Sequence, residues 1–133
     1  MDAVARSVDA AAAGRQAVDI EIGGGGAFPS PSRPRTIWLG LIRGKDELAD
    51  LSRAVDAELA MAGWAPQERP FRAHLTLARA DGRHEGPTVA RRLIERASGL
   101  RVPFRADRLV LFESVTGGGP ARYVARHEAK LGE

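Results

Sequence analysis

The sequence lacks cysteine altogether and has only three histidines. Without cysteine there is no disulfide, no thiolate ligand for zinc and no thiol nucleophile. The histidines have no carboxylate partners at metal-ligand spacing, so we expect no metal site. No apolar run approaches the roughly 20 residues that span a bilayer, and Asp2, Arg6 and Asp9 interrupt the apolar segment that a signal peptide needs. We therefore expect a cytoplasmic protein with no membrane contact.

Length and charge fit one soluble domain. A chain of 133 residues is long enough to bury a real core. Its formal net charge of +3 suits a polyanionic partner. A modest excess of arginine is also common in proteins of high genomic GC content, so the charge alone does not select a nucleic-acid binder.

Hydrophobic spacing predicts an α+β arrangement, with one sheet covered by helices on one face. The predicted elements are helices over 4–13, 46–62 and 88–97, with Asp46 and Thr88 as N-caps, and strands over 18–22, 36–42, 109–114, 122–126 and around His74. Gly23–Gly26 and Pro29–Pro34 are predicted to form a flexible connector. They do not resemble a phosphate-binding loop, because no Gly-Lys-Ser/Thr follows them.

The most informative stretch is residues 69–79, which read Arg-Pro-Phe-Arg-Ala-His-Leu-Thr-Leu-Ala-Arg. In an extended strand His74 and Thr76 share one face, about 6.5–7 Å apart. Phe71, Leu75 and Leu77 then take the other face, with Ala73, and are expected to enter a core.

An imidazole beside a hydroxyl can bind a small oxyanion, and the imidazole can accept or donate a proton near neutral pH. Arg69, Arg72 and Arg79 indicate that the anion is a phosphate, because a guanidinium fork matches its geometry. A structural histidine beside a good strand-forming threonine explains the same residues without catalysis, and residue types alone leave both interpretations open.

Residues 68–79 resemble the second His-x-Thr-x motif of the two-histidine (2H) phosphoesterases. Within that superfamily the segment is most similar to the RNA 2′,3′-cyclic phosphodiesterases, historically called 2′-5′ RNA ligases. Two further stretches, 28–40 and 109–123, resemble the strand that opens the second lobe of this family and the strands that close it. The resemblance runs from about Val4 to the end of the chain, in the family's order.

The resemblance implies a two-lobed sandwich with a phosphate site in the cleft between the lobes. Residues 1–27 would be a remnant of the first lobe, 28–35 the Pro/Gly-rich connector, and 36–133 the complete second lobe. The implied reaction hydrolyses RNA 2′,3′-cyclic phosphate ends to 2′-phosphates, or makes 2′-5′ linkages in reverse, without metal or organic cofactor. By the same resemblance His74 activates water, Thr76 holds a non-bridging oxygen, and Arg79, with Arg72, neutralises phosphate charge.

One feature departs from the family, which carries a His-x-Thr-x motif in each lobe. This chain has one, because neither His84 nor His127 is followed by threonine two residues later. We expect the first motif upstream of Met1 or on a partner. The alternatives are an RNA-end-binding module without catalysis and a lobe completed by another chain. Val18–Ile22 is expected to be an orphan strand, with homodimerisation through the uncovered first-lobe side.

Overall fold

The computed structural model describes residues 2–80 and 85–132. Its helices are α1 (Asp2–Ala12), α2 (Lys45–Met61) and α3 (Gly86–Ala97), and its strands are β1 (Val18–Ser30), β2 (Arg33–Arg43), β3 (Leu75–Arg79), β4 (Val102–Ala106), β5 (Arg108–Val115) and β6 (Arg122–Lys130). The predicted α+β class is confirmed. Within the described ranges no helix is both long enough and apolar enough to cross a bilayer.

The chain divides into two compact units, each built from separated segments. The first contains Met1–Val18, Ala49–Phe71 and Ala106–Glu133, and the second contains Asp19–Leu48 and Arg72–Arg105. The assignment of residues 1–27 and 36–133 to two lobes stays a prediction.

The second unit is built on a four-stranded sheet with the order β3-β2-β1-β4. β1 and β2 form an antiparallel hairpin, and β3 pairs antiparallel with the other side of β2. One face of the sheet is covered by α3, where Ala27, Ile37 and Ala90 form a buried cluster with Leu93 packed against it. Alternating apolar residues on β1 and β2 supply this contact because successive side chains in a strand point to opposite faces.

The predicted flexible character of the Gly/Pro-rich stretch is wrong, whereas the role of residues 28–35 as the connector between lobes stays a prediction. Gly23–Gly26 lies within β1, and the Pro29–Pro34 stretch closes the β1–β2 hairpin, with Pro29 and Pro34 as register partners. At Gly25 a glycine is needed for space, because a Cβ there would stand 3.2 Å from the Cα of Ile94 in α3. Val18–Ile22 is likewise no orphan strand, since it begins β1 and its last residues pair with β2.

In the first unit, α1 packs against the antiparallel hairpin formed by β5 and β6. Val8, Ala11 and Ala12 are the buried apolar residues of α1, at the spacing of one helical face. His127 Nε2 of β6 lies 2.7 Å from Asp9 Oδ1 of α1, which ties the helix to the hairpin at its rim.

Three further expectations need correction. The strands form two sheets, of four and two strands, instead of one. β4 was not predicted. α3 begins at Gly86, with Pro87 in its first turn and Glu85 at the N-cap without a side-chain cap bond, so Thr88 is not the cap. Proline suits the first turn because its missing N–H has no helical partner there.

Candidate active site

His74 and Thr76 lie on the sheet face opposite to α3. Ile37 faces α3, so its neighbours Thr36 and Trp38 point to the opposite face. Thr76 is the register partner of Trp38, and residues paired across a ladder share a face. His74 stands just before β3, two residues from Thr76, and its ring centroid lies 6.2 Å from that of Trp38. Both predicted site residues are therefore on this side, and both are exposed.

Arg79 reaches the same face because β3 is irregular. It is three residues from Thr76, and an odd spacing places two side chains on opposite faces of a regular strand. The ladder, however, shifts between Ile37 and Trp38, so that Leu77 is an extra residue and Arg79 pairs with Thr36. Arg79 Nη1 lies 3.4 Å from Thr36 Oγ1. Such bulges re-aim side chains, and this one brings the guanidinium to the side of the imidazole and the hydroxyl.

The imidazole of His74 is held by the backbone. Its Nδ1 lies 2.6 Å from the carbonyl oxygen of Arg72. A carbonyl oxygen only accepts hydrogen bonds, so Nδ1 must be the donor. In the neutral ring the lone pair then resides on Nε2, on an exposed side chain. This is the tautomer in which Nε2 can accept a proton from a substrate or from water.

Aromatic side chains surround the imidazole. The ring of Phe28 meets His74 edge to face, with centroids 5.1 Å apart and an interplanar angle of 88°. Phe28 also packs on Trp38 at 4.9 Å. The guanidinium carbon of Arg72 lies 5.8 Å from the centre of the Phe28 ring, within the range of a cation–π contact. Sequence analysis did not single out Phe28 or Trp38 for the site; the parity of β1 and β2 is the signal that places them there.

The apolar residues expected to lie in a core are exposed instead. Leu75 is 46 % exposed, Leu77 47 % and Phe71 52 %, so their predicted burial is wrong for the described part of the chain. β3 is an edge strand of its sheet, and an edge leaves side chains and unpaired backbone groups open.

The other histidines do not join His74 in this unit. His84 lies outside the described residues, and His127 is bonded to Asp9 in the first unit. His74 is thus the one imidazole among the described residues of the second unit. Across residues 2–80 and 85–132 no group of three or more histidine or carboxylate side chains is arranged to hold a metal ion. The described chemistry is therefore a nitrogen base, a hydroxyl and arginines on one sheet face.

Comparison with known proteins finds similarity over most of the chain. The family model of the 2′-5′ RNA ligase superfamily matches residues 1–118. A protein of Aeropyrum pernix named RNA 2′,3′-cyclic phosphodiesterase is 40 % identical over 76 residues, which cover 57 % of this chain and 43 % of that protein. A protein of Methanothermobacter thermautotrophicus with the same name is 38 % identical over 69 residues, covering 52 % and 36 % of the two chains. The matched segment thus spans less than half the length of these curated relatives.

Solved structures share the fold. A crystal structure of a phosphoesterase aligns with a TM-score of 0.68 at 18 % identity, covering 99 % of this chain and 70 % of that one. The crystal structure of E. coli LigT complexed with 3′-AMP aligns with a TM-score of 0.67 at 20 % identity, covering 99 % and 68 % of the two chains. At these identities the likeness establishes the fold.

Proposed function

The chain belongs to the 2′-5′ RNA ligase superfamily, and from this premise we propose a metal-independent phosphodiesterase activity. The proposed substrate is an RNA end with a 2′,3′-cyclic phosphate, and the product carries a 2′-phosphate. Support comes from relatives named RNA 2′,3′-cyclic phosphodiesterase and, above all, from one contact: His74 Nδ1 donates to the Arg72 carbonyl. That bond leaves Nε2 as a base on an exposed face. We keep the predicted cytoplasmic location as part of the proposal.

In the proposed reaction, His74 Nε2 takes a proton from water while the water oxygen attacks phosphorus. The bond between phosphorus and the 3′ oxygen breaks, and that oxygen takes a proton from a general acid. A 2′-phosphate and a free 3′-hydroxyl result. With a 5′-hydroxyl of RNA in place of water, the same steps form a 2′-5′ linkage.

Three side chains would bind the phosphate group and stabilise its negative charge. Thr76 Oγ would donate to a non-bridging oxygen. Arg79 lies on the same face, with Nη1 near Thr36 Oγ1, and would neutralise charge that grows in the transition state. Arg72 stands over Phe28 and would approach the phosphate from the other end of the His-x-Thr-x segment. Hydrogen bonds from guanidinium to phosphate are charge-assisted and stronger than neutral ones.

The general acid is the part of the proposal that the described residues do not supply. We propose that a second His-x-Thr-x pair from outside this chain's sequence completes the site, on a longer form of the polypeptide or on a partner. Removing one of two proton-transfer groups commonly lowers the rate about 10²–10⁴-fold. The chain by itself should therefore bind phosphate ends and hydrolyse them weakly or not at all.

Homodimerisation is one way to cover the exposed β3 edge of the four-stranded sheet. β3 is an edge strand, and Leu75 and Leu77 on it are about half exposed, which favours association. Sedimentation should show a concentration-dependent dimer. A monodisperse monomer that melts cooperatively across the concentration range would argue against this part of the proposal.

A second candidate function is that the chain binds RNA ends without hydrolysing them. It is supported by the presence of only one imidazole, that of His74, among the described residues of the second unit. The two functions differ in what happens when the second half is provided. Titration of the chain with adenosine 2′-monophosphate should shift the ring signals of His74 under both.

The deciding experiment uses an RNA oligomer with a 2′,3′-cyclic phosphate end and a form extended upstream to an in-frame His-x-Thr-x motif. We expect that form to release 2′-phosphate ends, the His74→Ala variant of it to be inactive and folded, and the His127→Ala variant to keep its activity. Hydrolysis that survives His74→Ala would refute the enzymatic assignment. Binding without turnover in the extended form would favour the RNA-end-binding function.

A further inference from the structure

Two glycines make room for Trp38 on the candidate face of the sheet. Gly26 is the register partner of Trp38, and a Cβ on Gly26 would overlap the Cζ2 and Cη2 atoms of the indole. Gly40 is two residues along β2, and its Cβ would stand 3.2 Å from Trp38 Cζ3. Neither glycine has a positive φ. Their role is therefore to leave space, and the indole lies across both positions.

Trp38 in turn supports Phe28 and His74. The Phe28 ring lies 4.9 Å from the indole and meets the imidazole edge to face at 5.1 Å. Trp38 itself is 6.2 Å from the imidazole. Its Nε1 is buried without a hydrogen-bond partner in the described part of the chain. Trp38 therefore contributes through the packing of its ring and not through its N–H group.

We propose that Phe28 and Trp38, the aromatic wedge, are positioning residues for His74, and that Gly26 and Gly40 are required because they admit the wedge. The proposal rests on the proposed function, since it assigns His74 the role of base. An exposed imidazole held by a hydrogen bond at Nδ1 alone could still rotate about its side-chain torsions and leave that bond. The wedge limits this rotation and so keeps Nε2 aimed at the phosphate.

The expected effect is on turnover. Displacing a reacting group by about 1 Å can cost on the order of 10²-fold in rate. Phe28→Leu keeps an apolar residue but removes the edge-to-face contact, and we expect kcat to fall roughly 10- to 100-fold while KM changes less. Phe104→Leu is the matched control, because Phe104 is also on a strand of this sheet and 47 % exposed. It should leave kcat unchanged.

The glycines allow a graded series. We expect Gly26→Ala to disturb the wedge strongly, Gly40→Ala mildly, and Gly99→Ala not at all, because a Cβ on Gly99 meets no atom within 4 Å. None of the three has a positive φ, so alanine tests space and not backbone strain. If Gly26→Ala fails to fold, Gly40→Ala and Phe28→Leu carry the test.

A readout independent of activity separates this inference from the proposed function. The ¹⁵N chemical shifts of the His74 ring report which nitrogen carries the proton, and they can be measured in this chain without substrate. We expect wild type to show protonated Nδ1, and Phe28→Leu and Gly26→Ala to move both nitrogens toward the tautomer mixture of free histidine. Unchanged ring signals in folded Phe28→Leu would overturn the inference. Altered signals together with no hydrolysis by any form would support the wedge and reject the enzyme.

Discussion

Replacing Ile37 by alanine removes a side chain that is only 2 % exposed from the cluster between the sheet and α3. The change deletes about three carbons, each worth ~0.8 kcal/mol of transfer free energy when buried. Its neighbours in the cluster, Ala27 and Ala90, are too small to fill the cavity, and Leu93 is the large side chain packed against them in the described structure. We therefore expect the free energy of unfolding to fall by about 3–4 kcal/mol, in the upper part of the usual range for such changes.

Urea unfolding followed by circular dichroism measures this loss. Ile37→Val should cost only about 1 kcal/mol, because one carbon is removed and the cavity is small. The matched control is Thr36→Val, which alters the adjacent residue on the opposite face. It keeps nearly the same volume and removes the hydroxyl near Arg79 Nη1, so we expect a loss of about 1 kcal/mol or less, the usual net contribution of one hydrogen bond. A cost below about 1 kcal/mol for Ile37→Ala would show that Ile37 does not face the core, and the assignment of both sheet faces would fail.

Three further predictions concern the site, each to be measured in the form extended upstream to a His-x-Thr-x motif, whose activity is part of the proposal. Arg79→Lys should lower kcat/KM more than tenfold, because an ammonium lacks the planar fork with which a guanidinium contacts two phosphate oxygens. The control, Arg91→Lys at an exposed position of α3, should not lower it. Equal effects of the two substitutions would contradict the role of Arg79. Deleting Leu77 should preserve phosphate binding, because it removes the extra residue of β3 while Thr76 and Arg79 keep their partners on β2. Loss of binding in a folded variant would refute the assignment of Leu77 as the extra residue. A chelator should leave hydrolysis unchanged, and inhibition reversed by a divalent cation would refute the metal-independent mechanism.

Elements with strong hydrophobic periodicity were predictable from the sequence, whereas β4, which lacks such periodicity, was not. The α1 residues Val8, Ala11 and Ala12 repeat at helical spacing, and the structure has them buried on one face. β4 covers five residues, includes Pro103 and Arg105, and is exposed along most of its length. Proline is tolerated there because β4 lies at the edge of the sheet. Its strand character depends on pairing with β1, which no local pattern encodes.

The glycines of β1 misled the sequence analysis for a physical reason. Runs of glycine between polar and proline-rich residues are typical of connectors. At two of the β1 glycines the space of the absent side chain is instead occupied by neighbours: the indole of Trp38 at Gly26, and α3 at Gly25. Composition cannot distinguish a glycine that permits motion from one that permits contact, because the contacting residue lies elsewhere in the chain.

The predicted burial of Leu75 and Leu77 failed in a related way. Alternation correctly indicates that successive residues of a strand point to different sides, but it does not say whether a given side is covered. In the described chain both leucines are about half exposed, because β3 is at the edge of its sheet. Coverage depends on which elements reach that edge, and this is a property of the tertiary arrangement.

Arg79 shows how the candidate site combines both kinds of information. Its placement beside His74 and Thr76 came from the resemblance to the phosphoesterases, whereas strand parity alone would put it on the opposite face from Thr76. The structure resolves the conflict through the extra residue Leu77, which shifts the register so that Arg79 pairs with Thr36. A bulge of this kind disrupts the ladder locally, and here it places a third polar side chain on the face that carries the imidazole and the hydroxyl. With three residues separating Thr76 from Arg79, the extra residue is what brings the guanidinium to that face, and the deletion of Leu77 tests the pairing on which this explanation depends.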